Sequence, residues 1–206
     1  MNDIEKTNLL NEILKFNEVS NSFEYGIARN GKVPPSKTVN TTVDDWINLY
    51  HLASPKQFVR QGGGVCWDWV SYEMDYFKTH FPTVRTDSFY IVFDDKAECP
   101  THTFMTFIID REIYYFESSF YEYRGVYRAK SAYDISDFVS YNMDQYDKSK
   151  SLLSFPRYIT KYNALDPKIY GMGCEEFMDY CIHQRRVNRK YNPYFIAPIK
   201  LKSETY

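Results

Sequence analysis

Three consecutive glycines, Gly62, Gly63 and Gly64, stand one residue ahead of the break between Val65 and Cys66, in a chain of 206 residues that holds only 8 glycines. A glycine run suits neither a helix nor a strand interior, because each glycine loses more backbone freedom on folding than any other residue. It suits a sharp turn, or a place where another backbone or a ligand must come close. The chain therefore breaks at 62–64. The segment that follows has the opposite character: from Cys66 onward, CWDWVSYEMDYFKTHF holds neither Gly nor Pro until Pro82. That predicts a helix of about four turns, opened by Cys66 and burying Val70, Met74 and Phe77.

Around this junction the periodicities sort the chain into helices first and strands later. Residues 3–19 carry Ile4, Leu9, Leu10, Ile13, Leu14 and Phe16 at helical spacing. Residues 30–42 are turn chemistry with Pro34-Pro35, and a short helix is expected at 43–52, opened by Thr42 or Asp44. The runs 88–93, 101–109 and 112–118 are rich in Ile, Val, Thr, Phe and Tyr and predict three strands, with Asp110-Arg111 joining the last two. A helix is expected over 132–147, a strand over 153–161, and a helix over 173–190 with acids early and bases late, matching its dipole. The expected class is α+β: one domain, with a core at about 55–125, an N-terminal helical extension at about 1–50 and a helical C-terminal region at about 130–206.

Charge narrows the partners. With 27 acidic against 25 basic side chains, the formal charge of -2 supplies no general drive toward nucleic acid or anionic lipid, and neither is expected as a partner. The bases Arg185, Arg186, Arg189 and Lys190 complement a helix C-terminus. No stretch approaches the ~18 apolar residues of a membrane span, and the polar start lacks a signal-peptide h-region, so a cytoplasmic protein is expected, with release by lysis or a dedicated secretion machine left open. Cys66, Cys99, Cys174 and Cys181 show no CxxC spacing and are expected as reduced thiols, Cys99 in a loop. Cys174, Cys181 and His183 lack the second ligand pair of a structural zinc site, and neither GxGxxG nor a P-loop occurs, so no metal or cofactor is expected.

The chemistry gathers at Cys66. A cysteine at a helix N-terminus sits beside free N–H groups and the positive dipole end, which favour the thiolate. Such a nucleophile needs a base, and the base an orienting partner. Of His51, His80, His102 and His183, only His102 opens a strongly β-like run, between Thr101 and Thr103. If the hairpin centres on Asp110-Arg111, Ile109 faces Glu112, His102 faces Ser119 and Phe104 faces Glu117. His102 and Glu117 are then same-face diagonal neighbours, roughly 7–8 Å apart at Cα. A three-residue loop would bring Ser118 round instead. This geometry favours a Cys66–His102–Glu117 triad.

The stretches GGGVCWD at 62–68, THTF at 101–104 and YYFE at 114–117 together resemble the core of the transglutaminase-like (papain-like) superfamily over about residues 55–125. That resemblance implies a catalytic helix packed on an antiparallel sheet, with Cys66 as nucleophile, His102 as general base and acid, and Glu117 orienting the imidazole. Asp is the commoner third member in that family. An upstream side chain often completes the oxyanion hole there, and Gln61, Gln57 and Trp46 are the candidates; Gly64 and Trp67 are the candidates for bordering a substrate cleft. The implied activity is on amide or isopeptide bonds of a peptide or protein, through an acyl-thioester, with hydrolysis favoured over transamidation because it needs no second substrate site. The alternatives are a transglutaminase-type transamidase and a non-catalytic peptide-binding module on the same fold; acyl transfer from a thioester donor ranks below both. Oligomeric state stays open.

Overall fold

The computed structural model describes residues 1–35, 42–94, 100–146, 151–184, 186–188 and 190–202. Helix α1, Asp3–Ser20, starts at a capping box in which Asn2 and Glu5 satisfy each other's backbone N–H groups. Helix α2, Val43–Asn48, has the same device from Thr42 and Asp45. Helix α3, Pro55–Gln61, begins at Ser54 with Pro at its first turn, and helix α4, Cys66–His80, follows. Strands β1, Glu24–Tyr25, and β2, Gly63–Gly64, form a small parallel pair beside the start of α4. The remaining elements are β3 Arg85–Phe93, β4 Thr101–Ile109, β5 Glu112–Glu117, β6 Gly125–Ala129, helix α5 Ala132–Tyr146, β7 Arg157–Tyr162, helix α6 Cys174–His183, β8 Arg186–Asn188 and β9 Ile199–Lys200.

Seven of the strands make one antiparallel sheet in the order β8-β7-β3-β4-β5-β6-β9. Helices cover both of its faces. On one face α1, α4 and α6 bury Ile13, Phe16, Val70, Met74, Phe77 and Phe177 against Tyr90, Met105, Phe107 and Phe116. On the other, α5 buries Ile135, Val139 and Met143 against Ile91, Phe93, Phe104 and Tyr115. The high aromatic content goes chiefly into this core: Phe16 stacks on Tyr76 with ring centroids 3.6 Å apart, and Phe77 meets Phe81, Phe107 and Phe116 edge-on or tilted. The chain is α+β, and the stripe expected on α4 is the one it buries.

The β4–β5 hairpin has the expected register, Ile109 facing Glu112 and Met105 facing Phe116. Its two-residue turn contains no glycine: Asp110 and Arg111 both take left-handed conformations, with φ of 47° and 68°. This is the primed turn whose twist matches that of the strands, and Asp tolerates it better than most residues.

Two expectations change. The helix over 173–190 ends at His183, and residues 186–188 instead pair with β7, Ile159 facing Val187. Amphipathic spacing ran on past the helix end because it cannot sense a sheet edge waiting for a partner. The C-terminal region is accordingly mixed, since β7, β8 and β9 lie in it. Cys99, Arg185 and Arg189 lie outside the described residues.

Candidate active site

Each glycine of the run has its own task. Gly62 ends α3 in the left-handed conformation, φ 84°, and its N–H reaches the carbonyls of Phe58 and Val59. Gly63 lets β1 close in: a Cβ there would lie 2.0 Å from the Glu24 carbonyl oxygen. At Gly64 a Cβ would meet the Asp68 side chain at 2.6 Å. That space is needed because the Asp68 carboxylate, 1% exposed, folds back to accept the N–H of Val65 at 2.8 Å. It also accepts the Ala53 N–H at 2.6 Å and the Tyr50 hydroxyl at 3.1 Å. Burial pushes the Asp68 carboxyl up to about 7 in spite of these three donors. The result is a rigid seat for the first turn of α4, with Cys66 at its first position.

His102 and Glu117 meet where β4 begins and β5 ends. His102 Nε2 lies 2.8 Å from Glu117 Oε2, and since a carboxylate only accepts, Nε2 carries the hydrogen. Glu117 is held by four further donors: the Tyr115 hydroxyl at 2.5 Å, and the Ser119 N–H, Ser119 hydroxyl and Phe120 N–H, each at 2.8 Å. Burial alone would raise this acid, but His102 and the donors hold it below the usual carboxylate value. Burial likewise opposes charge on His102, yet Glu117 and a hydrogen bond with Cys66 carry it up to about 10. Because Nε2 is engaged by Glu117, Nδ1 is the nitrogen left for the thiol. His102 is the one buried histidine of the four; His51, His80 and His183 are exposed.

Among the residues expected to complete the site, Gln61 is buried with its amide nitrogen on the Gly63 carbonyl at 2.9 Å, where it braces the glycine turn. Gln57 is exposed on α3, and Trp46 packs at a tilt against Tyr50 and Trp67. Trp67, a candidate for the cleft wall, is 2% exposed and packs inward on Tyr50 and Phe177, as a core residue does. Its position on α4 turns it toward the core. Gly64 is buried beside Tyr25 and Asp68.

Two residues join the site that the local sequence pattern did not indicate. Tyr25 is a neighbour of Cys66: burial, then the nearby sulfur, pushes this phenol well above its usual value. It arrives there because β1 pairs with β2, Tyr25 facing Gly64, a tertiary event with no local signal. Glu73 lies two helical turns after Cys66, 2% exposed, with Oε1 lacking a hydrogen-bond partner among the described residues. Burial, then the charge of Glu117, raises its carboxyl well above the usual value. Helical period from Cys66 could have flagged it.

Among the described residues, no group of three or more His, Cys, Asp or Glu stands together for a metal ion, and no helix is long and apolar enough to cross a membrane. Compared with protein-family models, with curated proteins and with solved structures, the chain matches none.

Proposed function

We propose that this chain is a cysteine hydrolase of transglutaminase-like type that cleaves amide or isopeptide bonds in a peptide or protein through an acyl-thioester. The observation that carries the reading is the buried His102–Glu117 pair, its carboxylate fully occupied by donors, together with Cys66 at the N-terminus of α4 beside it. An acid held this firmly fixes the imidazole in one tautomer and one orientation, the third-member role in a nucleophile–base–acid set.

The steps follow from the geometry. The proton shared by Cys66 and His102 rests on the imidazole, which titrates near 10, so sulfur forms a bond to the substrate carbonyl carbon while the carbonyl electron pair moves to oxygen and the Cys66 N–H faces the developing oxyanion. The tetrahedral species collapses by breaking the C–N bond, and His102 returns the proton to the leaving amine. Water then attacks the thioester, giving its proton to His102, and the carboxylic acid leaves as the thiol is restored. The enzyme needs one acyl-donor site and water.

The test is the iodoacetamide alkylation rate of each cysteine against pH, mapped by mass spectrometry, in wild type and His102→Ala. Burial raises the thiols of Cys174 and Cys181, which disfavours their reaction. Cys66 is expected to label first at mildly acidic pH, and to lose that lead in His102→Ala. Labelling of Cys66 no faster than Cys99, Cys174 and Cys181 would remove the basis for a hydrolase. Peptide and isopeptide libraries, with and without an added amine, then separate hydrolysis from transamidation.

A further inference from the structure

We infer that Asp68 is a positioning residue for Cys66: its carboxylate ties the connection before α3 and the glycine turn to the first turn of α4, and the nucleophile stands in place for acylation only while that carboxylate is ionised. The assignment rests on the cysteine-hydrolase reading and adds what sets its working pH range.

Three donors converge on Asp68 from two segments outside its helix. Oδ1 accepts the Ala53 N–H at 2.6 Å and the Tyr50 hydroxyl at 3.1 Å, and Oδ2 accepts the Val65 N–H at 2.8 Å. The two amides can only donate, so each needs an acceptor, and one carboxylate serves both. Val65 is the residue before Cys66 and the N-cap of α4. Its bond to Asp68 therefore fixes the backbone that carries the Cys66 sulfur and the free N–H groups of the first turn. The Trp69 indole N–H holds the Gly64 carbonyl at 3.2 Å, which ties the same turn to α4 a second time.

Protonation makes one carboxyl oxygen a donor, and of the three partners only the Tyr50 hydroxyl can turn round to accept. The neutral acid thus holds the turn more weakly than the carboxylate does. Burial works against the charged form: the side chain is 1% exposed, and among the described residues no cationic side chain is hydrogen-bonded to it. Its titratable neighbours bring no compensating charge. The connection before α3 brings Tyr50, β1 brings Glu24 and Tyr25 opposite Gly63 and Gly64, and α4 itself carries Cys66 and Tyr72. Lys56 and Arg60 of α3 are exposed. Burial against three donors leaves the Asp68 carboxyl at about 7, so the seat changes state around neutral pH.

Two probes separate this role from a structural one. Acylation of Cys66 by 4-nitrophenyl acetate needs the sulfur and the first-turn N–H groups placed together about one carbonyl, whereas alkylation by iodoacetamide needs only an accessible thiolate. The ratio of the two rates cancels the ionisation of the thiol and reads the placement. In wild type that ratio is expected to step upward with pH, with its midpoint near 7. In Asp68→Asn, whose side chain is neutral at every pH, the step should vanish and the ratio stay low, on the order of 10²-fold below the wild-type alkaline plateau. Tyr50→Phe keeps the ring against Trp67 and removes one donor to the carboxylate. Its step should lie about one pH unit higher than in wild type, and it decides the question alone if Asp68→Asn does not fold. A merely structural role would lower the rates without moving the midpoint. A flat wild-type ratio, a step that survives in Asp68→Asn, or a midpoint unmoved in Tyr50→Phe overturns the Asp68 assignment and leaves the hydrolase reading standing. If wild type shows no 4-nitrophenol release that Cys66→Ala abolishes, the acyl-transfer reading fails and takes the assignment with it.

Discussion

His102 and Glu117 are a buried ion pair whose stability contribution has a defined pH window. The folded histidine titrates near 10 against an ordinary 6.5, so its contribution is complete below 6.5 and is lost as pH rises toward 10. Glu117 is held below its ordinary 4.5, so its contribution is present above that value and is lost as pH falls through the lowered one. The pair therefore stabilises most between about 4.5 and 6.5. Thermal midpoints of wild type and Glu117→Gln across pH 4–10 are expected to differ most in that window and to converge on the alkaline side. The gap at its widest corresponds to about 3–5 kcal/mol, the usual cost of leaving one partner of a buried pair uncompensated. At this scale the sequence was informative about Cys66, His102 and Glu117 because each stands in a locally legible setting: a glycine break, a strand start, a hairpin register. It was silent about Tyr25, whose two-residue strand has no period to detect.

The element that organises the site is the glycine turn between α3 and α4. Gly63 has φ 143° and no room for a Cβ, since the obstacle is the Glu24 backbone carbonyl, which cannot step aside like a flexible side chain. Gly63→Ala is expected to cost about 1–3 kcal/mol in backbone strain and to push β1 away from β2. Hydrogen exchange at the Glu24 and Gly26 amides measures this directly: both should lose protection, while amides in the middle of β4 keep theirs. A local reading located this turn and the helix after it, because glycine, proline and helical spacing act within a few residues. It overran at 173–190, where the chain leaves helix to pair with β7. It also missed β6 and β9, whose strand state depends on the neighbours they join.

The whole molecule depends on fastening α5 and the C-terminal segment to a sheet whose other face carries α4 and Cys66. Arg157, 1% exposed at the start of β7, does much of this. Its guanidinium donates to Asp137 and Ser140 of α5, to the Ser136 carbonyl at 3.1 Å, and to the Lys190 carbonyl at 3.3 Å. Arg157→Met is expected to destabilise by about 3 kcal/mol or more, because it removes the buried donor shared by Asp137, Ser140 and two carbonyls. Urea unfolding followed by tryptophan fluorescence checks it, with a lowered midpoint expected and an unchanged one counting against a fastening role.

What the sequence determined alone was whatever its physics settles within one element or one hairpin: the α+β class, the turn at 62–64, α4 and its buried stripe, and the β4–β5 register that brings His102 to Glu117. Tertiary structure decided the rest. Packing turned Trp67 inward, β1 delivered Tyr25 to Cys66, and the sheet edge converted residues 186–188 to strand. The division has one physical cause: periodicity, turn chemistry and capping are local energies, whereas burial, strand pairing and the meeting of remote polar groups exist only once the chain has closed on itself.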